Sequence, residues 1–483
     1  MLQDADALPQ LIGDYKPVDQ WQVHINTLFY RVRGEQIRSF YQTFASADYR
    51  LAHALAADYF EKVVTREKAR GRTESGAVST PARPPTSPLT VMEWGPGNGN
   101  LAACFLSHLK VLDTAGTIYP RVRYVLVDRE QSVLDAAVAH PLLAPHRGQV
   151  ATHRGTVDGL DGVADGSVDR LICNELWNDL PTKLLSRQGQ ELEEEFLRPN
   201  LSEALHAKIT DWATFVRAFE ALDMATLTQF PPFLDDLVWE REYRTVAWKE
   251  VPYRKTITEF LKRIDEQVIV PVNLGAYATL KEATRLLARD AIGFSSFDAG
   301  TEDLAVLNDP EKPCSSQFGG QQSFMVNFAL AEAVATQLGA GPMTLESQRE
   351  FVGRSLGTNV LTLMDLMATH PSVGPNLTPW EQDRLMLQTL CALNATYESP
   401  YARRLDFPIA LAMPPEERDG LQALVAALKP TGVPDTVAYL TEEELTQAST
   451  DLEAIGYEPD AFRIVLTAPP SPVDYFHAFV APR

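Results

Sequence analysis

Residues 91–109 read VMEWGPGNGNLAACFLSHL. An apolar run ends in an acid, Glu93. Gly95, Gly97 and Gly99 follow at alternate positions, and an amphipathic stretch begins after them. The run at 89–94 predicts a short buried strand, and 99–112 predicts a helix. Glycines at such a junction permit positive φ, let the backbone approach a ligand and let the helix start close to the sheet.

Working outward, the same alternation continues. VRYVLVDRE predicts a second strand ending at Asp128, and EQSVLDAAVAH a second helix. GQVATHRGTVDGL suggests a third strand ending near Thr156, and GSVDRLICNEL a fourth ending near Asn174. Strands alternating with helices imply an α/β fold with a parallel sheet and right-handed crossovers. Ligands of such sheets bind at the carboxyl ends of the strands. The four ends carry Glu93, Asp128, Asp158 and Glu175.

The flanking sequence divides into expected regions. Residues 1–65 are read as helical and 66–88, rich in Pro, Ser, Thr, Arg and Gly, as a linker. Residues 89–185 form the first half of the sheet. Residues 186–288 break the alternation and are read as an insertion beside the ligand site. Within it RQGQELEEEF and the segment around Trp212, Phe215 and Phe219 are expected to be helical. FLDDLVWEREYRTVAWKEV suits strands, and TLKEATRLLARD suits a helix. Residues 289–340 supply a fifth strand, AIGFSSFDAGT, ending at Asp298, and a helix over QSFMVNFALAEAVATQLGA. Residues 341–483 are expected to be mainly helical, closing with two strands around a Pro-rich turn.

The glycine loop narrows the ligand. No Lys-Ser or Lys-Thr follows it, so it is not a P-loop. A dinucleotide loop prefers GxGxxG with pyrophosphate on the helix N-terminus. Here the spacing is GxGxG with Pro96 inside, and Glu93 stands two residues ahead. An acid there opposes pyrophosphate and suits a ligand carrying an ammonium and a sulfonium, S-adenosylmethionine. The expected cofactor-binding residues are Glu93, Gly95, Pro96, Gly97, Gly99, Asp128 and Asp158. Asp128 has two oxygens to accept both ribose hydroxyls. Asp158 is a candidate for the adenine amino group, with an ordinary turn Asp before Gly159 as the alternative.

From ICNELWNDLP, residues 172–181, the chain resembles the MidA-like methyltransferases. That family includes the mitochondrial complex I assembly factor that acts as a protein arginine methyltransferase. Its E-x-G-P-G-x-G loop corresponds to Glu93, Gly95, Pro96, Gly97 and Gly99. Its N-E-x-x-D-x-L-P segment corresponds to Asn174, Glu175 and Pro181. Here the acid is Asp179, one place late, and Asn178 holds the family position. Asp298-Ala299-Gly300 is similar to the family's D-Y-G without the Tyr, and Asn98 replaces the loop's usual Arg. The resemblance covers roughly 90–185 and 290–357. It implies a Rossmann-like class I methyltransferase and methylation of a protein, at arginine in the finer reading.

For a guanidinium acceptor, carboxylates must grip the cation, and bidentate pairing suits that task. Asn174, Glu175 and Asp179 are the expected catalytic or acceptor-contacting residues. Charge at a helix N-terminus, worth about 0.3–1 kcal/mol, is the alternative for the two acids. His153, His108 and His140 are not assigned roles, and Trp177 is read as a core aromatic. A small-molecule O- or N-methyltransferase and a catalytically weak assembly or binding protein remain as rival functions.

Net charge is −21, from 43 basic and 64 acidic residues, which argues against nucleic acid as partner. It is compatible with a basic protein segment or a small molecule. Cys104, Cys173, Cys314 and Cys391 form no CxxC and point to a reducing compartment. The N-terminal MLQDADALPQ lacks a basic region and an apolar core, and no apolar run is long enough to cross a bilayer. The expectation is a cytoplasmic protein with neither metal nor membrane partner.

Overall fold

The computed structural model describes residues 10–33, 50–73, 87–249, 251–318, 320–348, 350–352 and 474–483. Its frame is one large sheet. The strands are β1 (Leu89–Trp94), β2 (Val122–Asp128), β3 (Val150–Arg154) and β4 (Arg170–Asn174). A second sheet contributes β5 (Lys183–Gln188), β6 (Glu191–Leu201), β7 (Leu237–Thr245) and β8 (Val270–Val272). The main sheet resumes with β9 (Gly293–Thr301). A hairpin of β10 (Ser315–Phe318) and β11 (Gln321–Phe324) follows. The last two strands of the main sheet are β12 (Met343–Ser347) and β13 (Asp474–Val480).

In space the main sheet runs β3-β2-β1-β4-β9-β13-β12. The first five strands are parallel to their neighbours, which gives the doubly wound order 3-2-1-4-5. β13 then runs antiparallel to both β9 and β12.

Helices that position the layers include α1 (Val18–Arg33), α2 (Arg50–Thr73), α3 (Asn100–Leu112), α4 (Gln131–Val138), α5 (Trp212–Ala221), α6 (Leu274–Leu286) and α7 (Phe328–Gln337). Side chains alternate along β1, so the sheet buries both faces. Leu89 and Val91 join Leu55, Tyr59 and Phe105 from α2 and α3. Met92 and Trp94 join Trp177, Tyr277 and Phe328 on the other face. A third core, around Trp21, Phe29, Phe215 and Phe219, fixes α1 and α5 to the second sheet. Among the described residues no helix is long and apolar enough to cross a membrane.

The structure corrects several local expectations. In the region 1–65 read as helical, Gln10–Leu11 and Lys16–Pro17 are short strands, held by antiparallel pairing with β6. RQGQELEEEF is not helical; it forms the β5–β6 hairpin. Gly189 turns the chain at φ +59, and Glu194 is drawn inward by Lys183, which also pairs with Asp19 at 3.0 Å. Those long-range pairings override the helix propensity of Glu and Gln. α2 continues to Thr73, eight residues into the expected linker, because Arg66 has a buried partner to reach. The helix expected over 322–340 begins only at Phe328, after the β10–β11 hairpin. Finally, β12 lies in the region read as mainly helical. It pairs with β13, more than a hundred residues away in sequence, so its reason is not local. The remaining expectations for 353–473 lie outside the described residues, as does the segment 74–86.

Candidate active site

The glycine loop leaves β1 and enters α3. Gly95, Gly97 and Gly99 have φ of +69, +52 and +78, the left-handed region that favours glycine. Gly95 N donates to Val127 O at 3.0 Å, which ties the loop to β2. A Cβ on Gly99 would lie 2.6 Å from the carbonyl oxygen of Ala137 at the end of α4. A Cβ on Gly97 would meet nothing within 4 Å, so the loop's middle is open.

Glu93 behaves differently from the expectation that it faces the ligand. It shares a face with Leu89 and Val91, beneath α3, and is 3% exposed. Its Oε2 accepts from Tyr124 Oη at 2.9 Å. Burial pushes its pKa up to about 8, against the smaller lowering by that hydrogen bond. It supports the loop from below.

Asp128 ends β2 beside the loop and is half-buried. Its Oδ1 accepts from Glu130 N at 2.9 Å, and burial raises its pKa. The backbone N–H of Arg129, like that of Glu130, lowers it, and the carboxylate has lone pairs beyond these backbone donors for a hydroxyl. Asp158 is exposed, in the tight turn where Gly159 N donates to Thr156 O at 3.2 Å. That geometry matches the turn alternative as well as a place on the rim.

β4 ends in Asn174, and Glu175 follows at φ +48. A non-glycine residue there is strained by about 1–3 kcal/mol. The turn is held from β9. Glu175 N donates to Phe297 O at 2.7 Å, and buried Asp298 accepts from Trp177 N at 2.7 Å and Ala299 N at 3.1 Å. Burial, then the nearby Glu175 carboxylate, hold the Asp298 pKa well above the usual carboxylate range. Asn174 Nδ2 reaches Glu175 Oε1 at 3.4 Å, while Asn174 Oδ1 is buried without a hydrogen-bond partner.

Asp179 is not poised to grip an acceptor. Its carboxylate accepts from Tyr30 Oη, from Asn26 Nδ2 at 2.9 Å and from Gln321 Nε2 at 2.6 Å. Burial raises its pKa despite these donors. Trp177 is a core residue, donating to Thr279 Oγ1 at 2.8 Å and packed against Phe294. His108 stacks on His53, with centroids 4.0 Å apart, between α2 and α3. His140 accepts from Leu142 N at a helix start, and His153 lies half-buried on β3.

Sequence reasoning missed Asp298 as the anchor of the β4 turn, and it missed Tyr30, Asn26 and Gln22. The signal for the last three was present: polar residues at i, i+4 and i+8 on a helix whose other face is apolar.

A doubly wound sheet carrying a reversed strand, with a three-glycine loop at its carboxyl edge and Asp128 beside it, defines a Rossmann-like class I S-adenosylmethionine-dependent methyltransferase. The residues fit that cofactor: Gly97 leaves room for it, and Asp128 places a carboxylate at the end of β2 beside the loop. Residues 78–300 match the model of the family described as "Putative S-adenosyl-L-methionine-dependent methyltransferase". Among solved structures, the chain is similar to a protein from Burkholderia thailandensis described as a "likely methyl transferase" and bound to S-adenosyl-homocysteine. The two are 15% identical over 77% of this chain and 83% of that one, with a TM-score of 0.44. A second protein from the same organism, described as uncharacterized and solved in its native crystal form, is 15% identical over 77% of this chain and 90% of that one, with a TM-score of 0.42. No curated protein matches the chain.

Proposed function

We propose that the enzyme methylates a nitrogen that carries a proton, and that its acceptor is an arginine in a basic protein segment. The buried, unpartnered Oδ1 of Asn174 carries this reading. A buried acceptor without a donor is costly, and an incoming N–H group satisfies it. Glu175, next in the chain, supplies negative charge beside it for a guanidinium. Asp179 is left out of this role because its oxygens are already taken by Tyr30, Asn26 and Gln321.

S-adenosylmethionine supplies an electrophilic methyl group on a sulfonium. The chain's own contribution is position and charge. Asn174 Oδ1 accepts from the acceptor nitrogen and turns its lone pair to the donor. Glu175 offsets the positive charge that the guanidinium keeps, and the proton that the nitrogen gives up on gaining the methyl group passes to the Glu175 carboxylate and on to water.

The test is methyl transfer from labelled S-adenosylmethionine into a lysate of the source organism, read by mass spectrometry. Label on arginine is expected. Glu175→Gln should keep S-adenosylhomocysteine affinity and lose roughly 10²–10³ in transfer rate, the scale of one preorganised electrostatic group. Label confined to a metabolite would reject the arginine reading and favour the small-molecule rival.

A further inference from the structure

Helix α1 makes two sets of contacts that belong to different walls of one cleft. Gln22, Asn26 and Tyr30, at successive i, i+4 positions, reach the loop after β4. Gln22 Nε2 donates to Asn178 O at 3.1 Å, and Gln22 Oε1 accepts from Thr182 N at 2.8 Å. Asn26 and Tyr30 both donate to Asp179. Thr27 and Arg31, on the adjacent stripe, reach the loop after β2. Arg129 Nη2 donates to Thr27 Oγ1 at 3.4 Å, and Arg31 Nη2 pairs with Glu130 at 3.0 Å.

β1 lies between β2 and β4 in the sheet. A helix anchored on the loops after both neighbours therefore crosses above the glycine loop that leaves β1. The dimensions agree. Two inter-strand spacings are about 10 Å, and Gln22 to Arg31 spans about 14 Å of helix.

The crossing is fastened from outside as well. Gln321, at the start of β11, donates to Asp179 Oδ1 at 2.6 Å and to Tyr30 Oη at 3.1 Å. Asn26 exchanges hydrogen bonds with the backbone of Gln322 at 2.8 and 2.9 Å. The opposite face of α1 buries Trp21, Ile25 and Phe29 in the third core, so the helix cannot roll without breaking apolar contacts. Tyr30 is the last fastening before the β2 side, and Asp179 holds its hydroxyl.

We propose that α1 is the outer wall of the S-adenosylmethionine cleft and that Tyr30 is a positioning residue, holding that wall closed through Asp179. The inference rests on the cofactor assignment and adds a helix to the site that lies outside the glycine-loop half of the fold.

The first test is hydrogen exchange on the full chain with and without S-adenosylhomocysteine. Binding should slow exchange of the amides of 23–31 by at least about threefold, as expected when a ligand closes a locally opening segment. The second is calorimetry on a double-mutant cycle. Tyr30→Phe and Asp179→Asn should each weaken S-adenosylhomocysteine binding by about threefold to thirtyfold. The double variant should be no worse than the poorer single one, because Tyr30 acts through Asp179. Unchanged exchange in 23–31 on a wild-type protein that binds the ligand would overturn the wall. Wild-type affinity in Tyr30→Phe would overturn the role of Tyr30. Failure of the wild-type protein to bind S-adenosylhomocysteine would overturn the cofactor assignment too, and the titration separates that outcome from the others.

Discussion

Glu93 and Tyr124 form a buried carboxyl–phenol pair under the glycine loop, and its energetics depend on pH in a definite direction. The folded pKa of Glu93 lies near 8, raised by burial from an ordinary value of 4.5. Such a group binds its proton more tightly in the folded protein than in the unfolded one. Its burial costs no ionisation energy below about 4.5. The cost grows through the window between the two values and is complete above about 8. Glu93→Gln keeps an oxygen to accept from Tyr124 and removes the ionisation. Urea unfolding of the two proteins should therefore give similar stability near pH 4.5. The variant should become the more stable one by about 1–3 kcal/mol near pH 8.5. A gap of the opposite sign, or one that does not change with pH, would show that Glu93 stays ionised in the fold. The sequence could mark this acid but not its direction. Only the alternation of β1, with Leu89 and Val91 facing α3, reveals that it points beneath the loop.

At the scale of elements, α2 is pinned to the sheet at the end away from the cleft. Asp169, fully buried just before β4, accepts from Tyr59 Oη at 2.8 Å and from both terminal nitrogens of Arg66. Arg66 Nη1 also donates to Asp290 O at 2.7 Å. Removing one partner of a buried charge pair leaves the other uncompensated, so Asp169→Ala should cost about 3–5 kcal/mol. Denaturant unfolding measures the cost, and faster amide exchange in α2 should accompany it. A loss under about 1 kcal/mol would mean that the apolar face of α2 holds the helix unaided. Elements whose reasons are local, such as the apolar run of β1 and the glycines before α3, were legible in the sequence. Elements whose reasons are distant were not. The β5–β6 hairpin depends on Lys183 reaching Glu194, and β12 depends on β13. The site divides the same way. The strand-end positions of Asp128, Asn174 and Glu175 follow from local pattern. The capture of Asp179 by Tyr30, Asn26 and Gln321 needs three separate segments to meet.

Across the whole molecule the charge is −21, and that field acts on whatever approaches the carboxyl edge of the sheet. A cationic acceptor is drawn in by complementary potential, and mobile ions weaken the pull. Raising ionic strength tenfold shortens the Debye length by about threefold, to a few ångström at about 1 M. If the acceptor is a basic protein segment, its apparent Michaelis constant should rise about threefold to tenfold over such a change. The turnover number should move much less, because in the proposed reading Asn174 and Glu175 would act at contact distance, where screening is weak. A neutral metabolite as acceptor should show a Michaelis constant nearly independent of salt. Cofactor affinity, measured separately with S-adenosylhomocysteine over the same range, removes any salt effect at the glycine loop from the comparison. A flat dependence for the acceptor, after that correction, would count against a cationic protein substrate even if the protein transfers methyl groups efficiently. A steep dependence with the label on arginine would join the charge of the whole chain to the unpartnered Asn174 oxygen at the end of β4.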